Sequence, residues 1–273
     1  MLRRLLAHPL AKIENINDLN EAHIRKRIIE EKQFLRKIYR EWYAQIASVL
    51  PHHGAILELG SGQGFLKELI PEAITSDVAL LPDISLVLDA HCMPFANESL
   101  AAIVMIDVLH HLSGPRDFFA EAERCLRPGG VIAMVEPWVT SWSRFVYGRF
   151  HHEPFLPDAS QWESPSDGPL SGANGALPWI IFERDLDTFR AEFPHWRIER
   201  LILDMPLSYP ISGGISMRQL APSSLYGLFR GIERLMSPWM KRLAMFAFIV
   251  LRKVRPEGQV GQTGRVAGVP LPK

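Results

Sequence analysis

The sequence predicts an α/β fold: a doubly wound, mostly parallel sheet with helices on both faces. Three observations predict it. Short apolar runs between 55 and 136 alternate with short amphipathic segments and are separated by turn residues. Strands alternating with helices form parallel sheets through right-handed crossovers. One run, Ala101–Ile106, is apolar throughout, as a strand covered on both faces must be. The first run leads straight into a turn carrying Gly60, Gly62 and Gly64.

Each element can be justified in order. Residues 18–49 read as a helix, because Ile24, Ile28, Leu35, Ile38, Trp42, Ile46 and Val49 recur at helical spacing on one face. Pro51 and Gly54 stop it, so residues 1–50 form an N-terminal helical cover and residues 51–255 the main domain. Strands are predicted at Ala55–Leu59, Ala73–Asp77, Leu86–Asp89, Ala101–Ile106 and Val131–Glu136. A short helix ended by Pro71 follows the glycine turn. A second helix opens at Pro115 and ends near Leu126, and Arg127-Pro128-Gly129-Gly130 reads as a turn.

From 137 to 180 the pattern breaks into a proline- and glycine-rich stretch holding Trp138, Trp142, Trp162 and Trp179. Disordered segments lack aromatics, so this stretch reads as an ordered lid or acceptor-site wall. A surface excursion with its own small core is the plainer alternative. Arg184–Phe193 reads as a helix, and Trp196–Leu203 and Phe246–Arg252 as strands. Between them, 204–243 is an insertion containing a basic amphipathic helix, Ser223–Leu243, with Pro238 as its candidate break. Residues 256–273 read as a disordered tail.

Composition narrows the function. Thirty basic residues balance thirty acidic ones, which argues against a nucleic-acid partner. Cys92 and Cys125 form no CxxC pair, so a disulfide scaffold or cysteine zinc site is not expected. Buried thiols in a cytoplasmic protein are the plain reading. The start at Met1 is charged, but the apolar run after it is too short for a secretory signal. The longest apolar stretch, Leu243–Leu251, has nine residues, against about 20 for a bilayer span. Peripheral contact is a separate matter. Residues 218–255 hold eight basic residues and one acid, Glu233, beside an apolar stripe, a composition that suits an anionic membrane surface. The alternative is a stripe packed on the domain with its charges in water.

The segment from Ile56 to Gly64 is a strand ending in an acid, then a glycine turn into a helix. Glycines allow positive φ and close ligand approach. A dinucleotide site wants GxGxxG, whereas here the third glycine comes one residue early and Phe65 takes its place. The pattern acid-x-Gly-x-Gly-x-Gly, with Glu58, Gly60, Gly62 and Gly64, instead resembles the class I S-adenosylmethionine (SAM)-dependent methyltransferases, of the type 11 kind. Further features follow in family order: Asp77 ending the second strand, Asp89-Ala90 with Met93-Pro94-Phe95, Asp107 through Leu112, and Arg124 through Gly130. Two features depart from the pattern. Only 12 residues separate Asp77 from Asp89, and Ala101 stands where the family often has Asp.

The resemblance implies a Rossmann-like seven-stranded sheet whose final strand runs antiparallel. It implies SAM as cofactor. Glu58, Gly60, Ser61, Gly62 and Gly64 would hold its methionine end, Asp77 its ribose, Asp89 and Ala90 its adenine, with Asp107 a further contact. The reaction implied is methyl transfer, by in-line displacement in a closed pocket, to a small or amphipathic, even lipid-like, acceptor. A hydroxyl or ammonium acceptor needs a base and a carboxylate does not. His110, His111 and Glu136 are the catalytic candidates, with Asp107, His151 and His152 behind them. No metal is expected, since the adjacent His151 and His152 point apart in most backbones. His52 and His53 read as a solvated loop. Two alternatives stay open: a catalytically inactive SAM-binding or scaffold protein tied to a membrane or enzyme complex, and a nicotinamide-dependent oxidoreductase.

Overall fold

Seven strands form one sheet in the order β3-β2-β1-β4-β5-β7-β6. The strands are β1 Ala55–Leu59, β2 Ile74–Asp77, β3 Leu86–Val87, β4 Leu100–Ile106, β5 Leu126–Pro137, β6 Trp196–Asp204 and β7 Phe246–Lys253. This computed structural model describes residues 7–9, 24, 27–62, 65–151, 153–164 and 173–254. Strands β1 to β5 are parallel, and β7 runs antiparallel between β5 and β6.

The period of two along each strand divides the core between the two faces. On β4, Ile103 and Met105 join Ile132, Met134, Ile249 and Leu251 on one face. Helix α2, Pro115–Cys125, covers that face with Phe118 and Phe119. The intervening Ala102 and Val104 join Ala133, Val135, Phe248 and Val250 on the other. Helix α1, Gln33–Ala47, covers this second face with Phe34, Leu35, Ile38, Trp42 and Ile46. The doubly wound architecture is therefore present, and the apolar run at β4 is buried as its composition requires.

Several local expectations need correction. The first helix does not run unbroken over 18–49. Lys32 leaves the helical region at φ −90° and ψ 83°, and α1 starts after it. The cause is its side chain, which turns inward and donates to the carbonyls of Gly214 and Met217. Burial lowers the Lys32 pKa to about 7. The helix before Pro71 is a single 3-10 turn, Phe65–Glu68, and β3 is two residues long. Arg127–Gly130 lies within β5, where Gly129 at φ 81° marks an irregularity in register with β4.

The 137–180 stretch contains a helix the sequence reading missed: α3, Ser141–Phe150. Thr140 caps it, its side chain accepting from Ser143 N–H at 3.0 Å. Trp138 and Trp162 are buried in the main core. Helix α4 is Leu186–Glu192, preceded by a wide turn at Ile180–Arg184. The 204–243 insertion breaks near Pro238 as expected, into helix α5, Tyr226–Leu235, and turns at Ser237–Trp239 and Met240–Leu243. Cys125 is buried but Cys92 is exposed, so only one thiol matches expectation. No helix among the described residues is long and apolar enough to cross a membrane. Gly64, His152 and the tail at 256–273 lie outside the described residues.

Candidate functional site

Parallel strands bring their carboxyl ends to one edge. Here that edge carries Glu58 near the end of β1 and Gly60 just after it, Asp77 on β2, Asp107 after β4 and Glu136 near the end of β5. The strand order reverses at β1, between β2 and β4, the place where open α/β sheets form a ligand crevice.

The glycine turn has the required backbone. Gly60 and Gly62 sit at φ 60° and 52°. A Cβ on Gly60 would lie 2.5 Å from a methyl of Val108, so the turn is pressed against the loop after β4. A Cβ on Gly62 would meet nothing within 4 Å, so the turn opens outward there. Asp77 faces it: its carboxylate accepts from Gly62 N–H at 3.1 Å and Ala79 N–H at 3.2 Å. Ser61 pins the turn to β2, its Oγ accepting from Ser76 N–H at 2.9 Å.

Glu58 is buried at 2% exposure. Its Oε1 accepts from the Tyr43 hydroxyl at 2.7 Å, and its Oε2 has no hydrogen-bond partner among the described residues. Burial raises its pKa to about 7, against the opposing hydrogen bonds of Tyr43 and Ser61. Tyr43 comes from α1 and was not singled out from sequence. Its signal was available, since it lies on the same apolar face as Trp42 and Ile46.

Asp89 has a largely exposed side chain, and Ala90 is buried. One Asp89 oxygen accepts from His91 twice, from its backbone N–H at 2.9 Å and its Nδ1 at 2.6 Å. His91 Nε2 accepts from Gly114 N–H at 3.2 Å, which places the ring proton on Nδ1. His91 thus fixes the loop after β3 against the start of α2, a role the sequence reading did not assign.

On the other side of the crevice, Asp107 takes φ 58°, an uncommon conformation for a residue with a side chain. Glu136 is fully buried. Its Oε1 accepts from Val108 N–H at 2.8 Å and Leu109 N–H at 2.7 Å, and its Oε2 from His110 Nδ1 at 2.8 Å. The far nitrogen of His110 lies 3.6 Å from Glu153, and His111 Nε2 lies 3.9 Å from it. His151 Nδ1 is 3.8 Å away. Burial opposes the charge on His110, but its hydrogen bonds to Glu136 and Glu153 prevail and lift its pKa to about 10. Glu153 is held well below the usual carboxylate range: burial works against this, but the His110 hydrogen bond and the neighbouring histidine charges outweigh it.

The structure therefore brings His110, His111 and Glu136 together, and adds Glu153. The ligand atoms of His110, His111 and Glu153 lie within 4.8 Å of one another, as do those of Asp107, His110 and Glu136. A proton on His110 sets one positive charge between the two carboxylates that flank it. Tyr147 of α3 is a second missed residue. Its hydroxyl is buried without a partner among the described residues, while its ring stacks on Phe155 at 4.7 Å and meets His151 edge-on at 5.2 Å.

Residues 57–134 match the family model described as a methyltransferase domain. No curated protein matches the chain. Among solved structures, it is similar to a SAM-dependent methyltransferase from Thermotoga maritima described as a possible histamine N-methyltransferase. The TM-score is 0.51 at 16% identity, covering 85% of this chain and 99% of that one. It is also similar to a SAM-dependent methyltransferase from Archaeoglobus fulgidus, with a TM-score of 0.50 at 13% identity, covering 80% and 94%. These likenesses concern the fold, and the family match runs from Leu57 within β1 through the glycine turn to Met134 within β5. Residues 57–134 thus match a methyltransferase domain, and the 3-2-1-4-5-7-6 sheet that carries them has the fold of the SAM-dependent methyltransferases.

Proposed function

We propose that this enzyme methylates a small or amphipathic acceptor held between the carboxyl edge of the sheet and the 137–180 segment. The observation that carries the reading is Glu58 Oε2, a buried carboxylate oxygen with no partner among the described residues, beside an open glycine turn. A buried charge needs an opposite one, and the ammonium of a methionine moiety supplies it. Glu58 would hold that ammonium, with Gly60, Gly62 and Gly64 giving it room and Ser61 keeping the turn in shape. Asp77 would take the ribose hydroxyls, as a carboxylate accepts both bonds of a vicinal diol. Asp89 and Ala90 would border the adenine, and Asp107 would lie between cofactor and acceptor. SAM, when bound, supplies a methyl group on a sulfonium, already activated for in-line displacement.

The chain's own part is to place the acceptor and manage its proton. His110 keeps its proton at neutral pH and with Glu136 serves to position the loop after β4. His111 is then the imidazole to receive a proton from a hydroxyl or ammonium acceptor. Glu153 and the Tyr147 hydroxyl supply polar contacts within an otherwise aromatic wall.

Calorimetric titration with SAM and S-adenosylhomocysteine, with NADH as control, tests the reading. Micromolar binding of both adenosyl ligands is expected, weakened on the order of 100-fold in Asp77→Ala through loss of charged hydrogen bonds. Folded protein that ignores both ligands, or prefers NADH, sinks it. For the base, His111→Asn should slow turnover of hydroxyl acceptors and leave carboxylate acceptors unchanged.

A further inference from the structure

Helix α5 is inside out relative to the usual surface helix. Its inward face presents Tyr226, Phe229, Arg230 and Glu233. Tyr226 and Phe229 meet the ring of Phe34 edge-on. Arg230, only 7% exposed, reaches Glu41 and Asp204 at 2.6 Å each and also pairs with Glu233. Glu233 in turn accepts from Leu207 N–H, Ser208 N–H and the Ser208 hydroxyl. Two charges of this helix, Arg230 and Glu233, are spent on anchoring it.

Its outward face is apolar. Leu225, Leu228, Ile232, Leu235 and Trp239 follow at steps of three and four along α5 and the turn after it. Leu228 is 59% exposed, Leu235 78% and Trp239 55%. A row of large apolar side chains in water at helical spacing is an interaction surface rather than scattered exposure. Exposed Arg234, Lys241 and Arg242 flank the row. From 205 to 243 the only acid is Glu233, and it is buried. In a chain of zero net charge, the exposed charges of this segment are all basic.

The patch also borders the candidate site. The Met240–Leu243 turn contacts α3, which leaves the carboxyl end of β5 and exposes Phe145 with Arg149 over its ring at 4.2 Å. The same turn leads into β7, whose Phe246 pairs with Pro137 at that end.

We infer that this face docks the protein on an anionic lipid bilayer, with Leu228, Leu235 and Trp239 entering the headgroup region and Arg234, Lys241 and Arg242 meeting lipid phosphates. The charge pattern selects this occupant. An apolar row rimmed only by cations, with a tryptophan at its end, complements a negatively charged interface. The docking goes beyond the proposed methyl transfer and does not depend on it.

Co-sedimentation of the full chain tests it, using vesicles of phosphatidylcholine alone and of phosphatidylcholine with phosphatidylglycerol. Binding should require the anionic lipid and weaken with salt. Each basic residue near such a surface strengthens partitioning by roughly five-fold, so the triple change R234S, K241S, R242S should weaken it on the order of 100-fold. Leu228→Ser with Leu235→Ser should weaken it by about 10-fold or more. Both variants alter exposed side chains, and unchanged SAM titration and thermal midpoint would show them folded. Emission should shift to the blue on binding, and the shift should be lost in Trp239→Phe. Absence of sedimentation with anionic vesicles overturns the inference, as does binding that the triple change leaves intact. A concentration-dependent dimer abolished by the leucine changes, with no vesicle binding, would also overturn it and make the face a protein contact.

Discussion

Two glutamates are buried near the ends of neighbouring parts of the sheet, and they are treated in opposite ways. Glu136 near the end of β5 has three donors on its two oxygens: two backbone amides and the ring of His110. Glu58 on β1 accepts from the Tyr43 hydroxyl on one oxygen and has its other oxygen left without a partner among the described residues. Sequence and burial alone do not separate them. What separates them is how far the fold itself satisfies the charge. A carboxylate answered in full by the chain braces it, and one answered in part is kept for a guest.

The sharpest way to break this contrast is Glu136→Ala. It would strand two amides and a protonated imidazole, and a loss of about 3–5 kcal/mol in urea unfolding is expected. A loss below about 1 kcal/mol would remove the bracing role. Next comes Glu58→Gln, which should leave folding stability near wild type while weakening SAM on the order of 100-fold by calorimetry. If instead it unfolds the protein and spares binding in what remains folded, the two roles are reversed.

Titration separates the pair more finely. The Glu58 pKa stands at about 7, raised from an ordinary 4.5 by burial. Below that pH the carboxyl is neutral, so SAM affinity should fall roughly 10-fold per unit as pH drops below 7, and the slope should vanish in Glu58→Gln. In the free protein the sign for stability follows from the same shift. The folded state holds the Glu58 proton more tightly, so that contribution is present below the unfolded value and lost as pH rises through about 7. His110, raised from 6.5 to about 10, contributes stability below its unfolded value and loses it as pH climbs through about 10. Urea titrations over both windows, with Glu58→Gln and His110→Gln, should remove one slope each.

The smallest effect belongs to the outer clasp. Arg116 binds Glu163 and Glu192 at 2.6 Å each and covers the ring of Trp162 at 4.1 Å. These groups are partly in water, so Arg116→Ala should cost at most about 1 kcal/mol. A larger loss would mean that the 153–164 segment is held chiefly by charge.

The glycine turn and the acids around it were legible because their requirements are local. Glycines at positive φ and acids at strand ends sit within a few residues of the groups they serve, and the motif from Glu58 to Asp77 states them in order. The acceptor half was not, because its contacts join distant segments. Glu153 meets His110 and His111 across a stretch whose helix, α3, hides behind prolines and glycines further along. Tyr43 reaches Glu58 from the cover helix. The break at Lys32 depends on carbonyls more than 180 residues away. The orientation of α5 was illegible for the same reason: its apolar and charged residues satisfy the helical period on either face, and only Glu41 and Asp204, from elsewhere in the chain, decide which is turned inward.

The place of β7 has a consequence for how the molecule is made. It is the last strand in sequence among the described residues, yet it lies between β5 and β6, pairing with β5 from Val131 to Pro137 and with β6 along nearly its whole length. During synthesis, β5 therefore emerges with one bare edge, and β6 with nothing to join, until the segment from Phe246 to Lys253 arrives. A nascent chain stalled before that point would present the apolar edge of β5 to other chains. Ribosome stalling or truncation just upstream of Phe246 should yield aggregates rather than a smaller folded enzyme.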